Sequence, residues 1–257
     1  MTPADTIRSL RSAAQGLARS MRRAAGSLLD LFLPPSCAAC AGPLPEGSRG
    51  LCPRCRIDMP LTGYSEQFDN PVAQKFWGLV PIVGAASYIF FVRDGGYRRA
   101  IHNFKYRGDW RLARTLGQHF GAELARSPLF SSADIIVPVP LHWRKRLARG
   151  YNQSEYIALG MGNVMGLRVE CRSLVRRRHN ASQARTHRHD RWHNVEGIFA
   201  VRNPDALRGR HIILVDDVLT TGATITSCAE AIIAAVPDCR LSIATIAVSP
   251  HELGIKM

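Results

Sequence analysis

The segment Ile212-Ile213-Leu214-Val215-Asp216-Asp217-Val218-Leu219-Thr220-Thr221-Gly222-Ala223-Thr224 places an acid pair between an apolar run and a small, hydroxyl-rich loop. Two neighbouring carboxylates at the tip of a buried strand repel one another, and vicinal sugar hydroxyls that donate to them offset that cost. The loop has the composition of a phosphate cradle. Gly222 allows close backbone approach, Thr220, Thr221 and Thr224 bring hydroxyl donors on either side of Ala223, and a helix opening here offers free N–H groups and a favourable dipole. Asp216 and Asp217 are therefore the candidate catalytic residues and Thr220, Thr221, Gly222, Ala223 and Thr224 the candidate ligand loop, a set that describes a site for a ribose 5-phosphate. A plain helix cap by Thr221 explains the loop but not both aspartates. No GxxxxGK[ST] or GxGxxG nucleotide fingerprint occurs in the chain.

Four of the seven cysteines form two knuckles, Cys37-x2-Cys40 and Cys52-x2-Cys55. This spacing can gather four thiolates around one tetrahedral Zn²⁺ at about 2.3 Å each. Gly42, Pro43, Pro45, Gly47 and Gly50 between them suit tight turns, and so small a segment needs a staple to fold. A closed four-cysteine site leaves no open coordination position, so the role is structural. Disulfides are the alternative and belong to oxidising compartments. The chain shows no signal-peptide apolar region and no apolar run near the roughly 20 residues of a membrane span, so a reducing, cytoplasmic setting is expected. Cys171, Cys228 and Cys239 are expected to be small core residues.

A third group is basic. Arg144, Lys145, Arg146 and Arg149 follow the apolar run Ile135-Ile136-Val137-Pro138-Val139-Pro140, where they could clamp pyrophosphate or a nucleic-acid backbone. Lys105 could reach the same anion or lie along the surface as a snorkelling lysine. The stretch 176–194, rich in arginine, fits a hood that closes over a ligand. Histidines 142, 179, 187, 189 and 193 lack a metal-ligand spacing. Trp110, Trp143 and Trp192 could stack bases, although aromatic side chains more often build core. A net charge of +14 points to polyanion partners or to solvated arginine faces.

These groups need a scaffold. Strands are expected at 83–92, 134–140, 167–171, 212–215 and 241–248, and helices at 97–106, 110–126, 151–166 and 224–235, with residues 141–150 as a loop. Regular alternation of this kind predicts a mostly parallel sheet covered by helices on both faces, with ligands beyond the carboxyl ends of its strands. A hydrophobic content of 46% supplies the core. The expected organisation is a basic amphipathic helix over 1–33, a zinc ribbon over 34–62, a loop-rich bridge, and an α/β domain over 80–250.

The acid-pair segment resembles the phosphoribosyl-pyrophosphate loop of type I phosphoribosyltransferases. With the ribbon at 37–55, Ile101-His102-Asn103-Phe104-Lys105-Tyr106-Arg107-Gly108-Asp109, Val137-Pro138-Val139-Pro140 and Arg149-Gly150-Tyr151-Asn152-Gln153, the chain looks like the ComF family over about residues 28–249. The resemblance implies a type I phosphoribosyltransferase-like fold and a bound phosphoribosyl pyrophosphate with Mg²⁺. It implies that Arg144, Lys145 and Arg149 face the pyrophosphate. It further implies a part in bacterial competence, with single-stranded DNA and proteins of the competence machinery as partners. At 180–186, Asn180, Ala181 and Thr186 replace the family's threonine, proline and leucine, while Gln183, Arg191, Asn194 and Val195 match. Two functions stay open: an enzyme that displaces pyrophosphate at C1 of the sugar, and a non-catalytic binder of single-stranded DNA.

Overall fold

Ile212 to Val215 are uninterruptedly apolar because their strand is covered on both sides. In the computed structural model, which describes residues 36–45, 48, 50–91, 95–106, 108–177 and 197–255, these residues lie in the middle of a parallel sheet. The helix expected at 1–33 and the hood residues 178–194 lie outside the described residues.

In chain order the elements are α1 (Pro53–Ile57), α2 (Pro71–Gln74), β1 (Gly84–Phe90), α3 (Gly96–Tyr106), α4 (Trp110–Leu124), β2 (Ile135–Pro138), α5 (Trp143–Arg149) and α6 (Gln153–Met165). They continue with β3 (Arg168–Val169), β4 (Leu174–Arg176), β5 (Phe199–Val201), β6 (His211–Leu219), α7 (Ala223–Ala235) and β7 (Arg240–Val248). The sheet order is β1-β7-β6-β2-β3, and every pairing in it is parallel. β4 and β5 form a separate antiparallel ribbon. The chain steps outward from β2 to β3 and then returns to the other side of β2 with β6. The strand order therefore reverses between β2 and β6, where such sheets open a crevice at their carboxyl ends.

Side-chain alternation sorts the core into two layers. Ile213, Val215, Ile136 and Ala244 face a cluster with Phe104, Leu112, Leu116, Phe120, Ile157 and Met161 from α3, α4 and α6. Ile212, Leu214, Ile135 and Ile243 face Ile225, Cys228, Ala229 and Ile232 of α7, Val72 and Phe76 near α2, and Leu174 and Phe199 of the ribbon. Cys37, Ala38, Ala39 and Leu51 of the cysteine segment belong to the first layer, so that segment is built into the core and does not stand apart from it.

Helices α4 and α6 approach at glycine. A Cβ at Gly160 would overlap the Arg114 carbonyl oxygen, and one at Gly117 would overlap that of Ile157, backbone atoms that cannot step aside. Gly160→Ala is expected to lower stability by about 3 kcal/mol through overpacking, well beyond the gain in helix propensity. Urea denaturation checks this, and a loss under about 1 kcal/mol would show that the two helices can spread.

The ribbon β4–β5 and the short helices α1 and α2 lie outside the expected set, β6 continues past the expected 212–215 to Leu219, and two further segments differ in kind or length. Residues 143–149 form a helix, because His142 caps it through Nδ1, accepting from the Arg144 N–H at 3.2 Å, and Gly150 at φ 78° closes it. The strand expected at 167–171 shortens to two residues because Glu170 turns back, its Oε1 accepting from the Arg172 N–H at 2.9 Å.

Candidate functional site

β6 runs through the acid pair to Leu219, and its burial breaks where the charges begin: His211 to Val215 are buried, Asp216 to Val218 half-buried. The loop that follows is exposed at Thr220 and Thr221 and again at Thr224. Gly222 sits at φ 86°, a left-handed conformation that costs any residue with a Cβ, and its side-chain position already meets the Phe76 ring at 3.4 Å. Gly222 gives helix α7 no side-chain cap, and the Ala223 N–H donates to Thr221 Oγ1 at a long 3.5 Å. Asp216, Val218, Leu219, Thr220, Gly222, Thr224 and Ile225 line one recess of about 30 Å³. The recess has room for about one water, and of the candidate residues Asp216, Thr220, Gly222 and Thr224 line it while Asp217, Thr221 and Ala223 do not.

The charges are held from the neighbouring helices. Ser154 Oγ donates to Asp216 Oδ1 at 2.9 Å, and the Asp217 N–H donates to the same oxygen at 2.8 Å. Lys105 Nζ lies 3.2 Å from Asp217 Oδ1, with the two side chains only 21% and 14% exposed. Burial and then the Asp217 charge push the Asp216 carboxyl up to about 7, against the pull of the Asp217 amide, Ser154 and Lys105. A carboxyl so placed welcomes a cation or hydroxyl donors.

Tyr151 to Ser154 lock the surroundings. The Tyr151 hydroxyl donates to the Phe104 carbonyl, Gln153 Nε2 to the Lys105 carbonyl at 3.4 Å, and Asn152 Nδ2 to the Val139 carbonyl at 3.0 Å. Three consecutive residues thus tie the end of α3 and the end of β2 to the start of α6, whose Ser154 reaches Asp216. Sequence reasoning had Tyr151, Asn152 and Gln153 only as part of a family motif and missed Ser154. An Asn before a helical pattern signals a cap, which Asn152 is, but nothing local announces the distant carboxylate. Ser154→Ala is expected to push the Asp216 carboxyl further up and to weaken ribose-phosphate binding about fivefold with little loss of stability; calorimetry beside thermal melts separates the two effects.

Of the expected anion contacts, Lys105 is brought to the acid pair. Arg149 instead rests on the Tyr106 ring at 4.8 Å, Arg144 on the Trp143 ring at 5.3 Å, and Lys145 is exposed on α5. Arg146 pairs with Glu155 at 3.2 Å. A separate groove of about 570 Å³ is lined by Trp143, Arg176, Arg177 and Arg202 with Val175, Ala200 and Val201.

The four knuckle cysteines converge, with all four Sγ atoms within 4.8 Å of one another. A tetrahedron with bonds of about 2.3 Å has edges of about 3.8 Å, and Cys40 Sγ lies 3.9 Å from Cys52 Sγ. Backbone N–H groups already point at the sulfurs, that of Cys52 at Cys37 Sγ (3.3 Å) and that of Cys55 at Cys52 Sγ (3.5 Å). Against burial, backbone hydrogen bonds, that from Cys52 among them, hold the Cys37 thiol down to about 6. The cluster can hold a metal ion. No helix among the described residues is long and apolar enough to cross a membrane.

No family model matches the chain. It is 29% identical over 133 residues to the DNA utilization protein YhgH of Salmonella typhimurium, covering 51% of this chain and 58% of that protein. It is 26% identical over 206 residues to Competence protein F of Haemophilus influenzae (74% and 86% covered) and 29% identical over 129 residues to Competence protein ComFC of Bacillus subtilis (50% and 50%). A solved hypoxanthine phosphoribosyltransferase from Staphylococcus aureus aligns with a TM-score of 0.35 at 11% identity, covering 56% of this chain and 67% of that one. The chain is thus similar to proteins named for competence and DNA utilization, and its described residues form a mostly parallel α/β sheet with an acid-pair loop and a four-cysteine cluster.

Proposed function

We propose that the chain binds a ribose 5-phosphate ligand, phosphoribosyl pyrophosphate with Mg²⁺ in the first instance, and that it does so in the handling of DNA or nucleotides during competence. The observation that supports this reading is that Asp216, Thr220, Gly222 and Thr224 border one small recess at the carboxyl end of β6, where the strand order reverses. Asp216 and Asp217 accept from the ribose hydroxyls, and Thr220, Thr221 and Thr224 with the opening N–H groups of α7 receive the 5-phosphate. Lys105 balances Asp217 and lies where it can meet the pyrophosphate. Mg²⁺, a hard cation that prefers carboxylate and phosphate oxygens, fits this donor set and when bound would neutralise pyrophosphate charge. If the chain is an enzyme, catalysis comes from positioning and from stabilising the departing pyrophosphate by Lys105, Arg144, Lys145 and Arg149, with no side-chain nucleophile needed. In the four-cysteine cluster the metal is Zn²⁺ in a structural role, and the compartment is the cytoplasm, where thiolates persist.

Calorimetry with phosphoribosyl pyrophosphate and Mg²⁺ is expected to give one site per chain, with ribose lacking the phosphate binding far more weakly. Equal affinity for both sugars would remove the phosphate loop from the reading.

A second reading, binding of single-stranded DNA, is favoured by the groove in which Arg176, Arg177 and Arg202 surround Trp143. Arginines pair with phosphates and an aromatic ring can take a base. Gel shifts at rising salt test it: affinity is expected to fall steeply, and no shift at low salt would end this reading.

A further inference from the structure

We infer that the cysteine cluster is a positioning element of the acid-pair site, acting through helix α3, with Tyr97 as the residue that transmits metal occupancy to Lys105. The inference rests on the ribose-phosphate reading for its ligand, but its mechanical content stands on contacts alone.

The two ends of α3 touch different sites. At its first turn Gly96 packs on the ribbon so closely that a Cβ there would lie 2.6 Å from the Ala39 carbonyl oxygen. One residue on, the Tyr97 hydroxyl donates to the carbonyl of Cys55, itself a cluster residue, at 2.5 Å. At its last turn Phe104 and Lys105 give their carbonyl oxygens to Tyr151 and Gln153, and Lys105 Nζ pairs with Asp217 at 3.2 Å. Between the ends, Ala100, Ile101 and Phe104 share one core layer with Cys37, Ala38, Ala39 and Leu51. Gly50, at φ 71°, would press a Cβ onto the Leu112 side chain at 2.8 Å, so the ribbon also bears on α4.

An 11-residue helix is stiff enough to carry a displacement from one end to the other. The knuckles carry backbone hydrogen bonds of their own, such as Cys37 N–H to the Gly42 carbonyl and Ala38 N–H to that of Gly50, both at 2.8 Å; a bound metal would add the tie that fixes Cys37 and Cys40 to Cys52 and Cys55. When the metal leaves, Cys55 is free to shift, Tyr97 loses its acceptor and α3 loses its seat. Lys105 then no longer holds Asp217, and the acid pair repels itself beside an Asp216 already strained by burial. Lys105 touches the acids directly; Tyr97 acts through it and is a positioning residue.

Linkage makes the effect reciprocal: whatever metal does for the sugar phosphate, the sugar phosphate must do for metal. The test combines two readouts on the full chain. Hydrogen exchange is followed in metal-loaded wild type, chelator-stripped wild type and metal-loaded Tyr97→Phe. Stripping is expected to deprotect residues 97–106 and 216–219 while β7 keeps its protection, and Tyr97→Phe to deprotect 97–106 with the metal still bound. Should stripping unfold the whole chain, the Tyr97→Phe comparison decides alone. Unchanged exchange at 97–106 in that variant overturns the inference whether or not any ligand binds.

In the second readout, phosphoribosyl pyrophosphate with Mg²⁺ is expected to raise the equilibrium affinity for zinc, read by competition with a chromogenic chelator, on the order of tenfold, matched by a similar loss of its own affinity on stripping. Binding without any change in zinc affinity overturns the coupling. Absence of binding to loaded wild type sinks the ribose-phosphate reading instead, and leaves the exchange result to decide the mechanical one.

Discussion

Asp216→Asn is expected to lower affinity for phosphoribosyl pyrophosphate by at least about a hundredfold, since a lost charge-assisted pair of hydroxyl bonds is worth roughly 3 kcal/mol, and yet to make the protein more stable at pH 8. The two effects have one cause. Burial and Asp217 hold the Asp216 carboxyl up at about 7, above its ordinary value of 3.8. A carboxyl raised in this way binds a proton more tightly folded than unfolded. Its contribution to stability is complete below about pH 4 and is lost as pH climbs through about 7, where the fold must carry an ionised group that it disfavours.

Asparagine keeps the oxygen that accepts from Ser154 and from the Asp217 N–H, but never ionises. The variant should therefore match wild type near pH 4.5 and exceed it at pH 8 by roughly 2 kcal/mol, or about 5 °C in Tm. Thermal melts across pH 4.5 to 8, paired with calorimetry, measure both. A variant destabilised equally at the two ends would mean that Asp216 is a structural group whose bonds matter more than its charge. A site that improves in stability when its function is removed is what a ligand-binding carboxylate should look like.

The second large effect concerns the metal. Cys37→Ser is expected to drop bound zinc from one equivalent per chain to near none and to lower Tm by about 10 °C, because a structural zinc supplies folding energy outright. The size follows from where the ribbon sits. Cys37 and Leu51 are each 1% exposed and share a layer with Phe104, Leu112 and Leu116, so opening the knuckles wets the main core as well as the knuckles themselves. A free-standing ribbon tethered by a linker would melt with no change in the Tm of the sheet. Metal analysis beside differential scanning calorimetry distinguishes the cases, and zinc persisting at one equivalent in Cys37→Ser would falsify the cluster as its site.

The basic residues divide along the same lines. Arg144, Lys145 and Arg149 follow β2 and Lys105 lies near the end of α3; Lys105 meets the acid pair, Arg149 lies on the adjoining Tyr106 ring, and Arg144 leans on Trp143. On the helix Trp143–Arg149 successive basic side chains turn to different faces. Basic side chains thus stand both at the acid pair and along the groove of Arg176, Arg177 and Arg202.

The sequence by itself determined the parts whose physics is local. Apolar runs of strand length, bounded by turns, announced β1, β2, β6 and β7; an acid pair followed by Thr-Thr-Gly announced the loop; two Cys-x2-Cys knuckles announced the cluster. Each is a short-range pattern, because strand pleat, loop conformation and metal-ligand bite are set within a few residues. Only the tertiary structure decided which distant groups meet. Ser154 reaches Asp216 across 62 positions and Tyr97 reaches Cys55 across 42, and the ribbon shares the main core. Those encounters depend on the sheet order and on glycine-close helix packing, and in both the relative placement of whole elements fixes the contact, which no periodicity along the chain records.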